Sequence, residues 1–219
     1  MFTKLWSNLI RFGFYLLYNE LAWTYDVVSW VVSFGAWRDW QRAALPYVQG
    51  RVLELGHGPG HVLLALQLAG HAAVGLDVSP FMGRQARRRV PSVPLLRGRA
   101  QQLPFAAGSF DTVLATFPTP YVVEAETLRA VRRVLTRNGR FVIVPAAHLR
   151  GSDPVTRFVE WLYKITGQRE EGKVGTETAV STWQPFVTHL SEAGFRVAVH
   201  TVNFPRSSVT VLVCAKDEP

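Results

Sequence analysis

Arg51-Val52-Leu53-Glu54-Leu55-Gly56-His57-Gly58-Pro59-Gly60 decides the fold. A short apolar strand runs into an acid, and three glycines follow at alternate positions. His61 to Leu68 then reads as an apolar helix ended by Gly70, and a second strand, Ala72 to Leu76, stops at Asp77. Strand, glycine turn, helix and a strand ending in a carboxylate make a nucleoside-binding βαβ unit. The glycines let backbone approach a ligand that any Cβ would push away. Asp77 has the acceptor-only chemistry that suits a ribose diol.

Spacing separates the ligand classes that use such a unit. A phosphate-cradling loop needs Gly-Lys-Ser/Thr, and none follows Gly60. The dinucleotide fingerprint is G-x-G-x-x-G, but here the third glycine comes one residue early. This contracted form, with Glu54 two residues before Gly56, resembles motif I of the class I S-adenosylmethionine-dependent methyltransferases. Leu76-Asp77-Val78-Ser79-Pro80-Phe81-Met82 resembles the family's second motif. Gly98 to Phe105 with Ser109 to Val113 resembles its third and fourth, and Val134 to Val144 the approach to strand five. Asn138-Gly139 is expected to form a positive-φ turn there.

The resemblance implies S-adenosylmethionine as cofactor. It also implies a doubly wound, Rossmann-like α/β sheet of about seven strands with an antiparallel last strand, as the family's members have. The implied cofactor contacts are Glu54, Gly56, His57, Gly58, Gly60, Asp77 on the ribose and Met82 against the adenine, with Phe81 second to it. Ala100, Gln101 and Thr116 complete them. Many relatives carry an aspartate where Arg99 stands, and arginine cannot accept a hydrogen bond. Gln101 or a backbone carbonyl would then serve the adenine amino group. Tyr18 to Asp26, then Ser33-Phe34-Gly35 and Trp37-Arg38, resemble the ubiquinone/menaquinone-biosynthesis C-methyltransferases. There this helical segment covers the cofactor and shapes the acceptor pocket.

The 219 residues suit one domain. Its parts are a helical cover (1–45), a cofactor-binding core (46–147), an insertion read as a lid (148–180) and a closing helix with a strand hairpin (181–219). The insertion holds an amphipathic helix, Pro154 to Ile165, and a polar loop, Gly167 to Gly175. Cys214, the lone cysteine, sits in an apolar strand and reads as an inert buried thiol. One cysteine allows no internal disulfide, which is compatible with a reducing cytoplasm. The six histidines show no metal-ligand spacing, so no metal is expected.

The net charge is +8. Arg84, Arg87 and Arg88 share one predicted helix face, Arg129, Arg132 and Arg133 another. In the family fold those helices lie on opposite sides of the sheet, so a nucleic-acid surface is disfavoured against two solvated faces. RNA or protein methylation remains the alternative within enzymes, and a non-catalytic cofactor binder the alternative outside them. The first 22 residues are apolar and aromatic, but their longest unbroken run, Phe12 to Tyr18, is far short of the ~20 residues of a membrane span. Their stripe, Leu5, Leu9, Phe12 and Leu16, suits either packing on the domain or an anionic membrane surface on the cytoplasmic side.

The chemistry of methyl transfer needs little beyond alignment of the acceptor and exclusion of water. A phenolic acceptor would gain from a base, and His148, Asp26 and Tyr25 are the candidates. Phe117 and Tyr121, after strand four, are expected to wall a pocket for a small, lipid-soluble or quinone-like acceptor.

Overall fold

The computed structural model describes residues 35–149 and 179–216, together with Asp26, Ser29, Trp30 and Ser33. Tyr25, the stripe within residues 1–22, and the lid helix and loop of 150–178 fall outside them.

Helix α1, Trp37–Arg42, leads through a 3-10 turn, Leu45–Tyr47, to strand β1, Val52–Leu55. There follow α2 (His61–Leu68), β2 (Ala73–Asp77), α3 (Pro80–Arg89), β3 (Leu95–Arg97) and β4 (Phe110–Thr116). A 3-10 turn, Pro120–Val123, precedes α4 (Ala125–Val134), β5 (Leu135–Val144) and β6 (Ala147–Leu149). Helix α5 (Ala179–Glu192) and strands β7 (Phe195–Phe204) and β8 (Ser207–Lys216) close the chain.

The strands form one sheet in the order β3-β2-β1-β4-β5-β8, with β7 on the far side of β8. Pairings from β3 to β5 are parallel, and β8 is antiparallel to both β5 and β7. This is the doubly wound sheet with its antiparallel last strand. An eighth, short strand departs from seven: β6 pairs with the start of β8, Ala147 opposite Val209 and Leu149 opposite Ser207. It prolongs the β5 side of the sheet beyond Pro145.

Strand β1 is buried at all four positions, and its neighbours read as near-continuous apolar runs, as expected of strands covered on both faces. Two cores result. One joins Leu53, Val113, Phe141 and Ile143 to Leu128 and Val131 of α4 and Leu190 of α5. The other joins Val52, Leu114 and Val142 to Trp40 of α1, Val62 and Leu66 of α2, and Val90 at the end of α3. The arginine rows of α3 and α4 therefore lie on opposite faces of the sheet. Helix α4 shows why it folds so: Leu128, Val131 and Val134 are buried at helical spacing while Arg129 and Arg133 face solvent. Helix α3 starts on a Ser79 cap that accepts from the Met82 amide at 3.3 Å, with Pro80 at the first helical position.

Asn138 and Gly139 do not form the expected positive-φ turn; neither is among the positive-φ residues. Strand β5 instead runs through them with a register shift, Phe110 opposite Leu135 and Thr112 opposite Arg140. Side chains hold the irregularity, Gln49 donating to the Asn138 carbonyl at 3.0 Å and Thr136 to Asp111 at 3.1 Å.

Candidate active site

The carboxyl ends of β1, β2 and β4 meet at one edge of the sheet, where open α/β sheets bind ligands. The glycine turn leaves β1 there. The Gly56 amide donates to the Leu76 carbonyl at 2.7 Å, and the Gly60 amide to the His57 carbonyl at 3.0 Å. Gly58 and Gly60 both take left-handed backbone, φ 52° and 84°. They differ in surroundings. A Cβ at Gly60 would stand 3.0 Å from the Ala86 methyl and 3.2 Å from its backbone, whereas one at Gly58 would meet nothing within 4 Å. Gly60 thus serves helix packing, and Gly58 borders open space.

Asp77 ends β2 beside this space. Its two oxygens accept from the Gly58 amide at 2.9 Å and the Ser79 amide at 2.8 Å. A carboxylate has about four lone-pair sites, so both oxygens retain acceptor capacity for a diol. The same bonds orient the carboxylate and brace the turn.

Glu54 lies beneath the turn, 1% exposed. Burial, reinforced by the neighbouring Asp77 charge, pushes its carboxyl well above the usual range, against a hydrogen bond from the Leu63 backbone. Its second oxygen, Oε2, has no hydrogen-bond partner among the described residues. Such an orphaned acceptor is expensive unless a ligand satisfies it.

Two of the expected contact residues, His57 and Met82, are buried. His57 is 4% exposed, with Nδ1 2.7 Å from the Gly58 carbonyl, and its ring packs toward Gly75. Burial lowers its pKa, against the raising effect of Asp77. Met82 is 1% exposed, because the phase of α3 turns it inward. Phe81 stays partly exposed, with the Arg84 guanidinium 4.3 Å over its ring. Ala100 is buried in the turn after β3, and the Gln101 amide nitrogen donates to Glu124 at 2.6 Å, leaving its carbonyl oxygen as the acceptor.

At the end of β4, Thr116 is buried and accepts from Gln41 at 3.4 Å. Phe117 follows with φ 48°, a strained conformation for a non-glycine residue, and stacks on Trp37 at 4.4 Å. The Tyr121 hydroxyl reaches over the turn, 2.9 Å from where a Gly56 Cβ would stand. His148 lies on β6 opposite Ser208. A cavity of about 210 Å³ opens on this edge between α1, β6 and the β7–β8 turn, walled by Trp40, Leu149 and Phe204. Asp26 has a partner at each carboxylate oxygen, His61 at 2.6 Å and Arg89 at 3.0 Å. Sequence reading missed this contact, which joins residues far apart in the chain.

A larger cavity, about 670 Å³, lies at the opposite edge, lined by Arg129, Arg132, Arg133, His189 and Lys216. Arg133 donates to the Phe105 and Leu103 carbonyls, Lys216 to that of Leu135, and Arg129 to the Glu126 carboxylate. We assign it no part in the site. Burial pushes the Cys214 thiol far up, so it has no nucleophilic role. Among the described residues no group of three His, Cys, Asp or Glu is placed to hold a metal, and no helix is long and apolar enough to cross a membrane.

Residues 53–143 match the methyltransferase domain family. The demethylmenaquinone methyltransferase of Thermotoga maritima is 30% identical over 186 residues, 82% of this chain and 74% of the relative. That of Paenarthrobacter aurescens is 34% identical over 137 residues, 60% of this chain and 54% of the relative. Among solved structures, a SAM-dependent methyltransferase from Thermotoga maritima superposes with a TM-score of 0.61 at 19% identity, covering 88% of this chain and 94% of that one. The chain belongs to the class I S-adenosylmethionine-dependent methyltransferases. Within them it is similar to the demethylmenaquinone and ubiquinone/menaquinone C-methyltransferases, though it spans only 54%, 60% and 65% of three such relatives.

Proposed function

We propose that the protein transfers a methyl group from S-adenosylmethionine to a small, quinone-like acceptor. The observation that carries the cofactor is the orphaned Glu54 oxygen beneath a turn that leaves space at Gly58, with Asp77 beside it. The cofactor fits this donor set. It brings two positive groups and a ribose diol and carries no phosphate, matching a buried acid, a second carboxylate and a turn without lysine. When bound, it supplies an activated methyl carbon.

The chain's own residues then do the rest. Asp77 accepts from the ribose hydroxyls, and Glu54 offers its negative charge to the cationic end. Phe81 and the Gln101 carbonyl oxygen serve the adenine. Phe117 and Tyr121, after β4, wall the acceptor and exclude water, which favours in-line displacement by holding both reactants in one geometry. His148 is the proposed proton acceptor for a ring hydroxyl. The acceptor class rests on the names of the relatives, which act on demethylmenaquinone or in ubiquinone and menaquinone biosynthesis. A lipid-soluble quinone would be met at an anionic membrane surface, toward which the +8 charge gives attraction.

Labelled cofactor tests the proposal. Label is expected in a demethylated quinone presented in anionic vesicles, and not in RNA. Label in RNA alone would move the function to the alternative the arginines suggested. The glycines give a second check. Gly60→Ala should lower the melting temperature more than Gly58→Ala, since both incur left-handed strain of roughly 1–2 kcal/mol but only Gly60 also crowds α3. Gly58→Ala should weaken cofactor binding more than its stability loss accounts for. Equal melting temperatures would contradict the assignment of Gly60 to packing.

A further inference from the structure

Arg89, the last residue of α3, donates in two directions. Its Nη1–H reaches the Pro59 carbonyl inside the glycine turn, and its Nη2–H reaches Asp26 Oδ2 at 3.0 Å. The other Asp26 oxygen lies 2.6 Å from Nε2 of His61, the first residue of α2. Arg89 alone touches this carbonyl of the turn, and Asp26 and His61 act on it in series through the Arg89 guanidinium. His61 is nearly buried, with 9% of its side chain exposed, and Asp26 and Arg89 are 33% and 24% exposed. Burial works against the Asp26 charge, but the His61 hydrogen bond and the Arg89 and Arg38 charges hold its carboxyl below the usual value. The positive end of α2 favours an anion at the same place.

The turn needs such a contact. Pro59 stands between two left-handed glycines, the residues with the greatest backbone freedom. Its carbonyl belongs to the peptide whose N–H is that of Gly60, and that N–H holds the His57 carbonyl at 3.0 Å. Rotation of this one peptide would break both bonds and shift the floor on which a cofactor rests. We propose that Asp26, His61 and Arg89 are positioning residues, a polar clamp that fixes the Pro59–Gly60 peptide and so holds the glycine turn in its cofactor-binding shape. The proposal rests on the methyltransferase reading. It gives Asp26 a role in binding in place of that of a base, and it makes arginine the required residue, because a planar fork serves two acceptors at once.

The test uses the full chain, with Asp26→Asn, which preserves side-chain size, Arg89→Ala, and both together. Calorimetric titration with S-adenosylhomocysteine should show affinity falling about tenfold in each single variant, as for loss of a charge-assisted hydrogen bond. The double variant should bind no more weakly than Arg89→Ala alone, because the two residues act through one contact. In the ligand-free protein the Gly60 amide resonance should shift or broaden in both single variants, a change that a merely stabilising contact would not produce. Unchanged affinity and an unmoved Gly60 resonance would overturn the clamp while leaving the functional reading intact. An affinity loss that merely follows the folded fraction would overturn it as well. A wild-type protein that does not bind S-adenosylhomocysteine would overturn both.

Discussion

Asp77→Ala should weaken binding of S-adenosylmethionine by at least roughly 1.5–3 kcal/mol, the typical worth of hydrogen bonds to a charged group. The structure adds to that figure. The Asp77 carboxylate also accepts from the Gly58 and Ser79 amides, so alanine removes the ribose acceptor and a brace of the glycine turn together. Asp77→Asn should fall between wild type and alanine, since its carbonyl oxygen keeps one acceptor. Calorimetry reads all three. Unchanged affinity in Asp77→Ala would remove the ribose from this residue.

Glu54→Gln should separate stability from binding. The Glu54 carboxyl is raised in the folded protein by burial and then by Asp77. Between the ordinary carboxylate value and that raised one, the folded state holds a proton that the unfolded state has released. Stability therefore falls as pH rises through this window. Glutamine carries no such charge, so the variant should be more stable than wild type at neutral pH and should lose the slope. The positive groups of the cofactor favour the ionised form of Glu54. Wild-type affinity should accordingly rise with pH across the same window, and Glu54→Gln should bind more weakly by roughly 1.5–3 kcal/mol. Melting curves and titrations at pH 5 and at neutral pH (about 7) would show it. A variant less stable than wild type at neutral pH would contradict the buried-acid account.

The parts of this site that were legible in the sequence are local in it. Glu54, the glycines and Asp77 lie within one βαβ unit, and their spacing alone separates a phosphate-free ligand from a dinucleotide. The apolar runs of β1 and β4 and the closing hairpin announced the sheet, because strands buried on both faces must be apolar throughout. What the sequence left open depends on tertiary placement. Met82 and Phe81 are adjacent, and only the docking of α3 decides which of them turns inward. His57 sits between motif glycines, yet its ring packs toward Gly75 of β2. Asn138-Gly139 has turn chemistry, but the pairing of β5 with β4 carries the chain through it as an irregularity. The convergence of Asp26, His61 and Arg89 left no local signal, since it spans 63 residues from Asp26 to Arg89. Asp26 was noticed for the family motif it completes and as a candidate base.

A crystal structure of the protein with S-adenosylhomocysteine decides whether the glycine turn is the cofactor site. The ribose hydroxyls should lie within hydrogen-bond distance of the Asp77 carboxylate, the amino-acid end over Gly58, and the ammonium group should satisfy Glu54 Oε2. A ligand bound elsewhere, or one bound here with Asp77 and Glu54 out of contact, would contradict that placement.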